Sequence, residues 1–176
     1  MFTTPFLKSL FLTASALALA ACGSMSSAPK ASATAKLEAT KGNTASGTVR
    51  FDQFDGKVVV SGEVSGLKPG GEHGFHVHDK GDCSSGDGMS TGGHFNPTTK
   101  PHGHHGHGDH HTGDLPSLKA DANGVAKFSF ESTSISVGDG ATNVVGRGLI
   151  VHRDPDDLKT QPTGNSGPRV ACAVIR

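Results

Sequence analysis

Gly74-Phe75-His76-Val77-His78 is the stretch on which the reading of this chain turns. It is apolar and β-favouring. On a strand, residues i and i+2 point to one face, so His76 and His78 present two imidazoles in the same direction. A single pair of this kind usually marks a polar strand face turned to solvent. Two further pieces change that reading. His94-Phe95-Asn96-Pro97 sets another histidine beside apolar residues, and His152 follows Leu149-Ile150-Val151, an apolar run expected as a buried strand. Three segments far apart in sequence each offer imidazole next to a core, and one metal ion could use them all.

From His94 to Asp114 the chain reads HFNPTTKPHGHHGHGDHHTGD. This segment has no core periodicity. Its Gly and Pro punctuation predicts a loop filled with ligand-type side chains. Around it the rest of the chain reads as short strands. Lys36–Thr40, Gly47–Phe54, Lys57–Leu67, Phe75–His78, Val125–Phe130, Val144–Val151 and Arg169–Ile175 carry alternating or β-branched patterns, with turn signals at Asp55-Gly56 and Asp121-Ala122-Asn123-Gly124. Seven or eight strands at this spacing predict a sandwich or barrel with Greek-key connections. The stretches 79–120 and 152–168 carry little regular signal, and long irregular loops in a compact domain are usually functional.

The length of 176 residues suggests one folded domain. Lys plus Arg equals Asp plus Glu at 16 each, so no overall charge attracts nucleic acid or an anionic membrane. Gly is abundant at 25, while Trp and Tyr are absent, a composition suited to strands joined by glycine-rich loops. The N-terminus differs. Residues 1–21 read as a targeting segment, with Lys8 as the positive region and Phe11–Ala20 as an apolar run too short for a stable membrane span. Leu19-Ala20-Ala21-Cys22 looks like a bacterial lipobox, in which Cys22 would become the lipidated first residue. An ordinary secretory cut near Ala21 is the alternative. Residues 22–34 then form a lipidated end and a Ser/Ala/Gly-rich tether, and 35–176 the domain. The expected location is the cell envelope, facing the periplasm and anchored by lipid, with the outer membrane favoured because Gly23 follows Cys22.

The chain resembles the copper,zinc superoxide dismutases, and in particular their bacterial periplasmic lipoprotein type. The matching stretches are GFHVH at 74–78, GGHFNP at 92–97, HTGDLP at 111–116, LIVHRDPDDL at 149–158 and TGNSGPRVACAVI at 163–175. They occur in the family's order over roughly residues 35 to 176. The resemblance implies an all-β fold, an eight-stranded Greek-key β-barrel or sandwich with two long functional loops. It implies conversion of two superoxide anions to dioxygen and hydrogen peroxide by a copper ion cycling between oxidation states, beside a structural zinc, one of each per chain.

The resemblance also assigns residues. Copper falls to His76, His78, His94 and His152, and zinc to His94, His102, His111 and Asp114, with His94 bridging. Four nitrogens suit copper(II), and three imidazoles with one carboxylate suit a closed zinc site. Asp156 is implied as the acceptor joining one copper and one zinc histidine, His76 and His102. Arg169, with His94 among the catalytic residues, is implied at the copper mouth as a cation for the superoxide anion. Thr163 narrows the channel there. Cys83 and Cys172 are implied as a disulfide, which agrees with an even pair left once Cys22 carries lipid in an oxidising compartment.

Some alternatives stay open. His104, His105, His107 and His110 read as solvated loop residues, as a weak auxiliary metal-loading site, or as containing a replacement for His102. The stretch between His152 and Arg169 is shorter than in the familiar eukaryotic form, leaving Lys159 as a candidate for substrate steering. A metal-delivery protein without turnover would be expected to lack a copper histidine, the bridge or Arg169. A zinc- or copper-sequestering lipoprotein explains the His102–His111 segment but not His76, His78 or His152. A homodimer is compatible with the sequence.

Overall fold

The computed structural model describes residues 1–2 and 28–176. Residues 3–21 of the expected signal segment, Cys22 and the first residues of the tether, 23–27, lie outside the described residues. Among the described residues no helix is long and apolar enough to cross a membrane.

Among the described residues nine strands form in chain order: β1 Ala31–Ala39, β2 Ser46–Phe54, β3 Lys57–Ser65, β4 Glu72–His73, β5 Phe75–His78, β6 Leu118–Lys119, β7 Ala126–Ser132, β8 Gly148–His152 and β9 Arg169–Val174. Seven of them make one sheet in the order β5-β8-β9-β1-β2-β3-β7, and β4 pairs with β6 in a two-residue ladder. All pairings are antiparallel. After the meander β1-β2-β3 the chain crosses to the far edge for β5 and returns to β3 for β7. It then crosses again for β8 and β9, as a Greek key does. β5 and β7 end the hydrogen-bonded order, yet the Phe75 and Phe128 rings meet edge to face at 5.5 Å. The sheet therefore curls until its two edges share a core.

The alternation read from the sequence sets that core. Val49 and Phe51 of β2, and Val58, Val60 and Val64 of β3, are buried, with polar or partly exposed neighbours between them. The β2–β3 hairpin turns at Asp55-Gly56, where Gly56 takes φ 73°, a conformation that favours glycine. β1 begins at Ala31, inside the stretch read as tether and ahead of the strand expected from Lys36. Ala33, Ala35 and Leu37 are buried against β2, because alanine is small enough for a strand face although its composition resembles a linker. The two short strands β4 and β6 had no sequence signal, being only two residues long.

β5 and β8 differ from the outer strands in being buried on both faces. They pair directly, Phe75 with Val151 and His76 with Ile150. β9 covers the other edge of β8, and Cys172 in β9 is bonded to Cys83 in the loop after β5. The two cysteines are 89 residues apart in sequence. Closing a loop of that length is worth about 4–5 kcal/mol on the chain-entropy model.

Candidate metal centre

β5 brings His76 and His78 inward, and β8 ends on His152. The loop after β5 returns beside the same strand, with isolated bridges joining His78 to His94 and His76 to Asp114. Val77 N donates to Gly113 O at 2.9 Å and Phe95 N donates to Val77 O at 2.8 Å. The histidine-rich loop is thereby laced to β5. Gly113 is required for this approach, since a Cβ there would overlap Val77 O. Behind His94, the Arg147 guanidinium lies 3.8 Å from the Phe95 ring centroid.

Two groups of buried ligand atoms result. One is His76, His78, His94 and His152; the other is His94, His102, His111 and Asp114. In each, the ligand atoms lie within 4.8 Å of one another. His94 belongs to both. Its Nδ1 lies 2.9 Å from Asp114 Oδ1 and 3.3 Å from His111 Nδ1. Its Nε2, on the other side of the ring, is buried with no hydrogen-bond partner, and the ring stacks on His76 at 3.9 Å between centroids.

In the first group each imidazole has one nitrogen committed and the other free. His78 Nδ1 donates to Gly92 O at 2.9 Å, and His152 Nδ1 donates to Gly167 O at 3.0 Å. His76 Nε2 donates to Asp156 Oδ2 at 2.7 Å. The opposite atoms, His76 Nδ1, His78 Nε2 and His152 Nε2, are buried without a partner, like His94 Nε2. Burial lowers the pKa of His76 and of His78, takes His94 to about 4 and takes His152 to about 3. All four are neutral imidazoles whose lone pairs meet at one place. Unpaired buried acceptors are costly, and a copper ion satisfies this donor set.

The second group carries charge. Burial works against the Asp114 carboxylate, but contacts with His102, His111 and His94 hold its pKa far below the usual carboxylate range. His111 N and Gly103 N donate to its Oδ2 at 2.9 and 3.1 Å. Burial likewise opposes the charged form of His102, but Asp114 and Asp156 together raise its pKa to about 9. Three imidazoles and one carboxylate, closed to solvent, fit zinc.

Asp156 ties the groups together. Its Oδ2 accepts from His76 and its Oδ1 lies 2.9 Å from His102 Nε2. Although burial raises its pKa, bonds to His102 and His76 bring it well below the carboxylate range. Gly164, at φ 62°, packs so closely here that a Cβ would overlap Asp156 Oδ1.

A sequence profile of the copper/zinc superoxide dismutases matches residues 45–175. The chain belongs to the copper/zinc superoxide dismutase family. It is 45% identical over 135 residues to "Superoxide dismutase [Cu-Zn]" of Paramecium bursaria Chlorella virus 1, covering 73% of this chain and 71% of the viral protein. Among solved structures it is similar to the clock protein EA4, with a TM-score of 0.75 and 42% identity over 85% of this chain and 95% of that one. It is also similar to a double mutant of a SOD-like protein from Bacillus subtilis, with a TM-score of 0.72 and 35% identity over 80% and 95% of the two chains. The fold is that of the superoxide dismutase β-barrels, and copper and zinc are the family's metals.

The remaining residues singled out in the sequence fall as follows. Arg169 opens β9 and is partly buried. Its Nη1 donates to Gly88 O at 2.5 Å and Thr91 Oγ1 at 2.9 Å, and its Nη2 donates to Gly92 O at 2.7 Å. Guanidinium has five donors, so two have no protein acceptor among the described residues. Its Nη2 and His78 Nδ1 donate to the same carbonyl, Gly92 O, which places it on the side of the first group. Thr163 is half-buried, and Ser166 Oγ contacts its carbonyl at 3.4 Å. Lys159 is exposed. His104 and His107 are exposed, while His105 and His110 are half-buried, and none of the four joins either group.

The sequence did not point to the supports. Gln161 brackets the His102 backbone, its Oε1 accepting from His102 N at 2.8 Å and its Nε2 donating to His102 O at 2.9 Å. The carbonyls of Gly92 and Gly167 orient His78 and His152. Backbone acceptors leave no trace in residue identity.

Proposed function

We propose that the chain dismutates superoxide with copper held by His76, His78, His94 and His152, and zinc held by His94, His102, His111 and Asp114. The reaction is that of the family: two superoxide anions and two protons give dioxygen and hydrogen peroxide. The observation that carries the residue assignment is the convergence of four neutral, buried and unpartnered ring nitrogens, with His94 shared by a second, carboxylate-bearing group. Copper held by these four imidazoles would supply the one-electron redox couple that the reaction needs.

The chain's own residues do the rest. Gly92 O, Gly167 O and Asp156 fix the rings of His78, His152 and His76, so the lone pairs are set before a metal arrives. His94 holds a proton at Nε2 between the two half-reactions and gives it to the reduced dioxygen species as it leaves. Contacts at its Nδ1 keep the ring from turning meanwhile. Arg169 draws the anionic substrate in, with its two unused N–H groups as the docking edge. In the same reading Cys22 carries lipid, the domain faces the periplasm, and the protein acts on superoxide outside the cytoplasm, as a monomer or a homodimer.

The test is a dismutation assay on the purified oxidised protein loaded with copper and zinc, with bound metal measured in the same sample. Fast dismutation lost on copper removal is expected. Full copper loading without activity would overturn the reading in favour of metal delivery. Mass analysis of the cell-derived protein checks the lipid: an acylated N-terminal Cys22 is expected, and an unmodified chain starting near Ala21 would remove the anchor.

A further inference from the structure

Four histidines of the loop between His102 and His111 take no part in either buried group, and the loop arranges them in pairs. His104 and His107 are exposed, with ring centroids 4.6 Å apart. They are the ends of a tight turn, in which His107 N donates to His104 O at 3.1 Å and Gly106 takes φ 74° at the third position. That conformation favours glycine, so His104-His105-Gly106-His107 is built to bring its two end residues together. His104 Nδ1 donates to His105 O at 2.7 Å, which leaves its Nε2 as an acceptor. The His107 ring makes no hydrogen bond among the described residues.

The second pair lies deeper. His105 and His110 are half-buried with rings 5.7 Å apart. His105 Nδ1 donates to Asp114 O at 2.8 Å, and His110 Nε2 is buried without a partner. A cleft of about 200 Å³ runs past this loop, and its walls include Glu72, His104, His105, Lys119 and Asp156. Of the exposed pair it touches His104, and it reaches Asp156, whose Oδ1 is 2.9 Å from His102 Nε2.

We propose that His104 and His107 form an additional transition-metal site, which captures a divalent ion such as zinc at the surface and passes it by way of His105 and His110 to the cluster of His94, His102, His111 and Asp114. The delivery step rests on the reading that this cluster holds zinc; the capture step does not. Imidazole nitrogen suits zinc, copper and nickel alike. Two imidazoles with the remaining positions taken by water bind an ion loosely enough to release it. The deeper cluster offers three imidazoles and a carboxylate, so transfer runs toward tighter coordination. Capture next to the site raises the local ion concentration and turns a search from bulk solution into a short-range step.

The test uses the full protein with copper and zinc already bound, titrated with zinc chloride and followed by calorimetry, with metal analysis of the same sample. The wild type is expected to take up one further zinc ion, and H104Q/H107Q none. In a second arm, zinc-depleted protein is given limiting zinc, and its entry into the buried cluster is followed. Loading is expected to slow roughly tenfold in H104Q/H107Q, with the final zinc content and the dismutation of the loaded enzyme unchanged. No further uptake by the wild type, or equal uptake by the variant, overturns the site. Unchanged loading rates overturn the delivery role. Wild-type protein that never holds zinc in the buried cluster would instead sink the ligand assignment above, a result the metal analysis reads separately.

Discussion

The two halves of the metal centre are built in different ways. Three of the four ligands in the group assigned to copper ride on β5 and β8, strands buried on both faces and paired to each other. All four ligands of the group assigned to zinc come from one irregular loop, positioned by backbone bonds to β5, by Gln161 and by Asp156. The first group is neutral and dry; the second brings Asp114 among its ligands and Asp156 behind them. The strand-borne half is thus fixed by the sheet itself, whereas the loop-borne half is fixed by side-chain and backbone contacts that reach it from outside the loop. His94, on the loop yet bridged to His78 of β5, is where the two constructions meet.

The largest expected effect comes from breaking the strand-borne half alone. His152→Gln removes a ligand at the end of β8 that belongs to the copper-side group and not to the zinc-side one. Dismutation should be abolished while zinc content stays at the wild-type level, measured by activity and metal analysis together. Parallel loss of zinc would show that the halves are not separable.

Asp156→Asn probes their connection. The carboxylate serves His76 on a strand and His102 on a loop. Loss of such an outer partner costs roughly 10–100-fold in metal affinity. Chelator competition should place that cost on zinc, because β5 still holds His76 while His102 loses one of its few fixed points. A larger loss on the copper side would reverse the comparison.

This contrast also governs what the sequence revealed. His76, His78 and His152 were legible because strand periodicity ties side-chain direction to residue spacing, and apolar neighbours announce burial. The core of β2 and β3 was legible for the same reason. The loop has no such rule. Choosing His102 and His111 among six histidines needed the family resemblance, and Gln161, Gly164 and the Gly92 and Gly167 carbonyls carried no signal at all. The start of β1 was missed because alternating Ala, Ser and Thr serve a linker and a small-residue strand face equally well.

A smaller difference concerns protons. In the metal-free protein His102, between Asp114 and Asp156, has its pKa raised to about 9, whereas the four imidazoles of the other group are neutral. Its folded pKa lies above the usual value, so at neutral pH His102 is protonated and must lose that proton to bind zinc. Zinc affinity should fall about tenfold for each pH unit below 9 while His102 alone titrates. Copper binding should release no proton from its own group over the neutral range. Calorimetry in two buffers of different ionisation enthalpy reads both quantities.

The last test concerns the substrate side. Arg169 is the cation beside the neutral group, held by Gly88 O, Thr91 Oγ1 and Gly92 O in the loop that Cys83 ties to β9. Two roles are proposed for it, which charge and shape separate. As a cation it would draw in an anion, an effect that focused fields make worth about 10–1,000-fold in on-rate and that salt screens. As a planar fork it holds three acceptors of the loop, which lysine cannot do in the same way. Arg169→Gln should lower the dismutation rate at least tenfold at low salt, the gap to wild type narrowing as ionic strength rises. Arg169→Lys should keep the wild-type salt slope while losing part of the rate, because the charge remains and the loop contacts do not. An unchanged salt slope in Arg169→Gln would remove Arg169 from steering and leave it as a brace between β9 and the disulfide-bearing loop. Its charge would then be no more than the means by which the Gly88–Gly92 turn, and through Gly92 the His78 ring, is kept in place.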